Sequence, residues 1–324
     1  MLGWPHKIRC AAVLVSARKV LQALKVVLHI GAHRTGTTSL QSGLRQNRFN
    51  LRKNGVVFWG PQQLRGETFS GLLRREETQA QAHTKILVRR NCATIGFALD
   101  RLRRTGQTHL VISEENIMGM MRENITGGCL YPNLAGRLAR FRRAFDGQRL
   151  RVVLAVRPYQ AYWTSVLGHL LPRGLTMPGP DALESLAQEQ RGWRDVIADV
   201  GTAFPGAEIV VWGFQGLIGD TVAQFCILLG GAVQPPFQAC AAHHNKSPDV
   251  ATLNALAPDA HASALIYERH VFQPFSATAR AVMHDRFAQD MHWLRCGGGG
   301  RVQFFENAET AAGLGATGTI SEAG

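Results

Sequence analysis

Residues 26–41 read VVLHIGAHRTGTTSLQ. A short apolar, β-branched run (residues 25–30) ends at a glycine. A polar loop follows, and from Thr37 to Asn47 the leucines Leu40 and Leu44 recur at helical spacing. The apolar run is the pattern of a buried parallel strand, and the periodic stretch that of a helix with one apolar face. A glycine-bounded strand-to-helix turn aims backbone amides and a helix N-terminus at an anion. Gly31 and Gly36 stand at the spacing of the phosphate-binding pattern G-x-x-x-x-G-K-[ST], and Thr38 takes its hydroxyl position, but Thr37 stands where the lysine belongs. Without that lysine the device that holds a magnesium-bound triphosphate is gone. The cation nearby is Arg34, on the loop itself. The pattern predicts one phosphate-like group held by amides and hydroxyls beside an arginine, and it disfavours a kinase or a nucleotide hydrolase.

Outward from the loop, strand-like runs alternate with helical ones. Strands are expected at residues 55–59, 108–112, 151–156 and 208–212, the last taken as the final strand. Helices are expected at residues 85–104, 133–145, 159–171, 181–200 and 220–229. Such alternation predicts an α/β domain of three layers, a central and mostly parallel sheet flanked by helices. Its ligand belongs beyond the carboxyl ends of the strands. Residues 31–39, 113–119, 157–165 and 213–217 leave those ends and are expected to converge. Residues 1–24 read as a basic amphipathic extension, residues 25–296 as the domain, and residues 297–324, which open on GGGG, as linker and poorly ordered tail.

The chain has 324 residues, 45% of them apolar, and a formal net charge of +13. It can bury a core, and its surface attracts anions: acidic glycans, lipid headgroups or a phosphorylated cofactor. Among the arginines at positions 137–143 the one aromatic, Phe141, belongs to the apolar face of the helix and is not placed to stack on bases, so the arginines read as a solvated helix face and a nucleic-acid partner is not expected. The six cysteines show no CxxC spacing and read as small core hydrophobes in a reducing, cytoplasmic setting, without zinc or a disulfide framework. No apolar run is long enough to span a membrane; the basic N-terminal stretch fits peripheral contact with the inner face of one.

The loop resembles that of the sulfotransferases that use 3′-phosphoadenosine-5′-phosphosulfate (PAPS), whose 5′-phosphosulfate loop reads [KR]-x-G-T-T after the first strand. Arg34-Thr35-Gly36-Thr37-Thr38 matches it, and HIGAHRTGTTSLQ is similar to the bacterial branch, where the cation is usually lysine. The same family holds the 3′-phosphate with an arginine ending a strand and a serine in the next helix; Arg157 and Ser165 stand at that spacing. SEENIMG, WGFQ, HHNKSPDVATL and RFAQDMHWL also resemble segments of bacterial members, so the resemblance runs from Lys25 to Arg295. It implies a P-loop-type fold and a PAPS-dependent enzyme, with Arg34, Thr35, Gly36, Thr37, Thr38 and Ser39 around the phosphosulfate. Arg157 and Ser165 would take the 3′-phosphate, with Lys246 as a further contact. The expected acceptor is a hydroxyl or amine of a carbohydrate or glycolipid. No metal is expected, and oligomeric state has no signature here.

Sulfuryl transfer needs in-line attack on sulfur, charge stabilisation and a base for the acceptor's proton. Arg34 supplies charge. Glu114, at a strand's carboxyl end, is the first choice of base. Glu115, His29, His33 and His169 are the others, with His33 on the loop itself. Residues 61–81 and 170–182 are expected to shape acceptor choice. Two other readings stay open: a homologue that binds PAPS or its bisphosphate product without turnover, and a small-molecule kinase.

Overall fold

The computed structural model describes residues 24–74, 81–231, 237 and 272–312. Its centre is a six-stranded sheet in the order β2-β3-β1-β4-β5-β6. The strands are β1 (Lys25–Gly31), β2 (Val56–Trp59), β3 (His109–Ser113), β4 (Arg149–Val156), β5 (Glu208–Gly213) and β6 (Val302–Phe305). Every neighbouring pair is parallel. β1 lies between β3 and β4, and six of its seven residues are buried, which is why it reads as one apolar run.

The α-helices of five residues or more among the described residues are α1 (Thr37–Gln46), α2 (Arg48–Lys53), α3 (Gln81–Arg104), α4 (Met121–Thr126), α5 (Leu134–Ala144), α6 (Tyr159–Leu170), α7 (Pro180–Gln188), α8 (Trp193–Ala203), α9 (Thr221–Leu229), α10 (Ala277–Arg295) and α11 (Ala308–Ala312). They form two cores. On one face α3, α5, α6, α7, α8 and α10 bury Leu99, Phe141, Tyr162, Leu186, Trp193 and Met283 against the sheet. On the other, α1, α2, α9 and α11 bury Leu40, Leu51, Phe225 and Ala311. Three layers around a parallel sheet are the architecture expected. The chain therefore leaves β1 toward one face and β3 and β4 toward the other. A crevice opens where connections part in this way.

Two boundaries differ from expectation. The helix expected over residues 181–200 breaks between α7 and α8, where Gly192 takes an extended conformation and caps α8. Residues 297–324 are not all linker and tail: Val302–Phe305 add a sixth strand beside β5, and α11 follows. A strand of four residues carries too little periodicity to stand out after GGGG. Residues 1–23, Lys246 and residues 313–324 lie outside the described residues.

Among the described cysteines, Cys92, Cys129 and Cys226 are half-buried and Cys296 is exposed, rather than lying deep in the core. No helix of the described residues is long and apolar enough to cross a membrane.

Candidate anion site at the carboxyl edge of the sheet

The loop between β1 and α1 owes its shape to its own threonines. Thr35 Oγ1 and Thr37 Oγ1 both donate to the carbonyl of Ala32, at 2.7 and 3.2 Å. Thr37, in the lysine position, is thus turned inward and buried; it closes the loop and does not reach toward a ligand. Arg34 and Gly36 take left-handed conformations, φ 61° and 76°. Successive turns of this kind point amides into one concavity. The amides of Thr35, Gly36 and Thr37 find no acceptor among the described residues. Thr38 is exposed in the first turn of α1, and Ser39 is half-buried beside it.

The expected convergence is present. Arg34 reaches from the loop to α6, where its Nε donates to Ser165 Oγ at 2.9 Å and its Nη1 to His169 Nδ1 at 3.2 Å. Arg157, directly after β4, donates from Nη1 to the carbonyl of Arg34 at 2.5 Å. Its guanidinium lies 5.0 Å over the ring of Phe214, which follows β5. From the segment after β3, Asn116 Oδ1 meets His33 Nε2 at 3.2 Å. One loop, two strand ends and one helix thus meet around two guanidiniums.

The electrostatics are those of an incomplete site. Burial, and then the neighbouring Arg34, draw the Arg157 guanidinium down to about 10. Arg34 is lowered too, by burial and then by Arg173. Among the described residues no carboxylate pairs with Arg157. Like charges held together out of water favour an anion between them, and a guanidinium fork suits phosphate or sulfate.

Glu114 does not face this cluster as a free base. It is fully buried, and Arg65 grips both of its oxygens at 2.8 Å. Its Oε1 also accepts from the amide of Asn116 at 3.0 Å, capping the short turn Glu115–Ile117. Burial pushes the carboxyl up while the Arg65 hydrogen bonds pull against it.

His33 is committed as well. Tyr162 donates its hydroxyl to Tyr131 Oη at 3.3 Å, and the backbone amide of His33 donates to the same oxygen at 3.1 Å. The single proton of Tyr131 is left for His33 Nδ1, 3.1 Å away. His33 is therefore neutral with its proton on Nε2, donated to Asn116. Burial lowers its proton affinity in the same sense. His29 sits inside β1, bonded to Ser113 at 2.8 Å and stacked on Trp212 at 5.4 Å, with its pKa drawn down to about 4 by burial.

Supporting residues were not visible in the sequence. Arg137, expected on a solvated face, is buried and donates to the carbonyls of Asn116 at 2.6 Å and Ile117 at 3.4 Å, fixing the segment that carries Glu114. Trp193 Nε1 donates to the carbonyl of Arg157 at 2.9 Å. Asp290 on α10 accepts from Tyr159 and from the amide of Trp193, so the late helix holds the Arg157 turn. Among the described residues, no group of three or more His, Cys, Asp or Glu could hold a metal ion.

No family model, curated protein or solved structure matches this chain.

Proposed function

We propose that the protein moves the sulfuryl group of PAPS to a hydroxyl or amine of an acceptor, in keeping with a carbohydrate or glycolipid. The observation that carries this reading is the contact between the loop cation and the second anchor. Arg34 meets Ser165 across 131 residues of sequence, and Arg157 meets Arg34 across 123. The residues that the resemblance assigns to the 5′-phosphosulfate and the 3′-phosphate thus share one crevice, although nothing in their separate spacings requires it. The amides of Thr35–Thr37 take the 5′-phosphate end. Arg34 balances the charge that develops on the bridging oxygen as sulfur leaves it. Arg157 and Ser165 receive the 3′-phosphate once Arg34 has turned to the ligand.

Calorimetric titration with 3′,5′-bisphosphoadenosine, without magnesium and beside ATP with magnesium, tests the reading. Tight metal-free binding that disappears in Arg157→Ala supports it. Binding of magnesium-ATP in place of the bisphosphate sinks it and returns the chain to the kinases. A protein that binds the bisphosphate without transfer is the second reading, favoured by one observation: Glu114, the expected base, is spent on Arg65.

A further inference from the structure

With Glu114, His33 and His29 committed elsewhere, the transfer step lacks a proton acceptor. Glu115 does not fill the gap: its Oε2 accepts from Gln41 at 3.1 Å and its Oε1 from Arg65 at 3.0 Å. His169 differs from all of these. It lies on α6, one turn beyond Ser165, half-buried at the rim of the cluster. Its Nδ1 accepts from Arg34 Nη1. A guanidinium only donates, so Nδ1 bears a lone pair and the ring proton is on Nε2. The lone pair is covered by the one side chain that an incoming sulfuryl group would draw away.

From this geometry we infer that His169 is the general base that takes the acceptor's proton, an inference that rests on the sulfuryl-transfer reading above. The acceptor oxygen attacks sulfur, and its new bond to sulfur forms as the bond from sulfur to the bridging phosphate oxygen breaks. The electron pair of the broken bond stays on that oxygen, which leaves as 3′,5′-bisphosphoadenosine opposite Arg34. The acceptor's proton passes to His169 Nδ1, and the imidazolium returns it to solvent.

The surroundings tune the base to the ligand. In the free protein His169 is held down to about 4, by burial first, then by Arg34 of the loop and by Arg173. Arg173, in the turn that ends α6, donates to the His169 carbonyl at 2.7 Å, and Arg122 of α4 holds the carbonyl of Arg173 at 2.9 Å. An anionic cofactor on Arg34 cancels much of this field, so the ring gains proton affinity as the anion arrives.

Proton uptake separates this inference from the reading beneath it. Binding of 3′,5′-bisphosphoadenosine is measured near pH ~5.5, between the bound-down value and the ordinary one, in buffers of different ionisation enthalpy. Wild type and His169→Gln are expected to bind within about threefold of each other, with wild type taking up several tenths of a proton more. Release of sulfate from PAPS, with water as acceptor, is expected to fall roughly 100-fold in the variant. If the variant matches wild type in either readout while the bisphosphate is bound, His169 is not the base and the transfer reading stands. Loss of binding in the variant alone makes His169 a ligand-binding residue and overturns it as the base. No binding by wild type overturns inference and reading together.

Discussion

Arg151 and Arg157 stand at opposite ends of one strand, and the protein treats them in opposite ways. At the amino end of β4, Arg151 is buried with its charge answered: Nη1 pairs with Glu208 at 2.7 Å and Nη2 donates to Ile227 at 2.9 Å. Lys25 at the start of β1 shares Glu208 at 2.8 Å. At the carboxyl end, Arg157 faces Arg34 and an aromatic ring. The first arrangement has its counter-charge within the fold. The second has a carbonyl and a ring but no described carboxylate, and on the proposed reading an anion completes it. The contrast separates a cation paired within the fold from one that the proposed function assigns to a ligand, although in sequence both are arginines beside an apolar strand.

Removing Arg157 tests the contrast most severely. On the proposed reading Arg157→Ala removes two charge-assisted hydrogen bonds to the 3′-phosphate, an expected loss of about 4 kcal/mol or roughly 1000-fold in bisphosphate affinity. The denaturation midpoint is expected to stay unchanged or rise, because a like-charge contact is relieved. A fall in stability on the scale of a broken ion pair would place Arg157 with Arg151.

Acid comes next. His29 is neutral in the fold, with its value near 4 against 6.5 in the open chain. Between those values the unfolded chain binds a proton that the folded chain refuses, so stability falls as pH drops from 6.5 to 4, by on the order of 3 kcal/mol. Denaturation of wild type and His29→Gln across that range is expected to show a flatter profile in the variant. His109, at the amino edge, is also held near 4, by burial and then by Lys25, Arg149 and Arg151. Bound bisphosphate is expected to raise the value of His169 and leave that of His109 alone, which histidine NMR titration reads directly.

Glu208→Gln inverts the first experiment. It leaves Lys25 and Arg151 without their carboxylate and is expected to cost about 2 kcal/mol, since Glu208 keeps contact with solvent. Bisphosphate affinity is expected to stay within about twofold. The smallest effect is at Gly36. Its φ of 76° suits glycine, and an added Cβ would meet only Phe214 at 3.4 Å, so Gly36→Ala costs backbone strain rather than a clash. About 1 kcal/mol of stability is expected to go, with a modest loss of bisphosphate affinity from the distorted loop.

The sheet was legible because β1, β3, β4 and β5 are buried on both faces and so read as continuous apolar runs. The converging loops followed from the alternation of elements alone. What stayed hidden is what depends on partners distant in sequence. That Glu114 caps the next turn could be read locally; that its cation is Arg65, 49 residues away, could not. Thr37 looked like a ligand contact until the carbonyl of Ala32 proved to be its acceptor. Arg137 looked solvated because a helical wheel shows faces and not the carbonyls of a segment folded over them. β6 was missed because its four residues pair with β5, whose Ile209 lies opposite Val302, far back along the chain.

That last pairing sets an order of events during synthesis. The anion loop is synthesised directly after β1, yet β1 pairs with residues 109–113 and 149–154, made much later. Phe214, which faces Arg157, sits in a turn that the segment after β6 closes over: a Cβ on Gly216 would lie 2.0 Å from the carbonyl of Glu306. The anion loop is therefore fixed in place only once strands made far downstream of it have paired with β1.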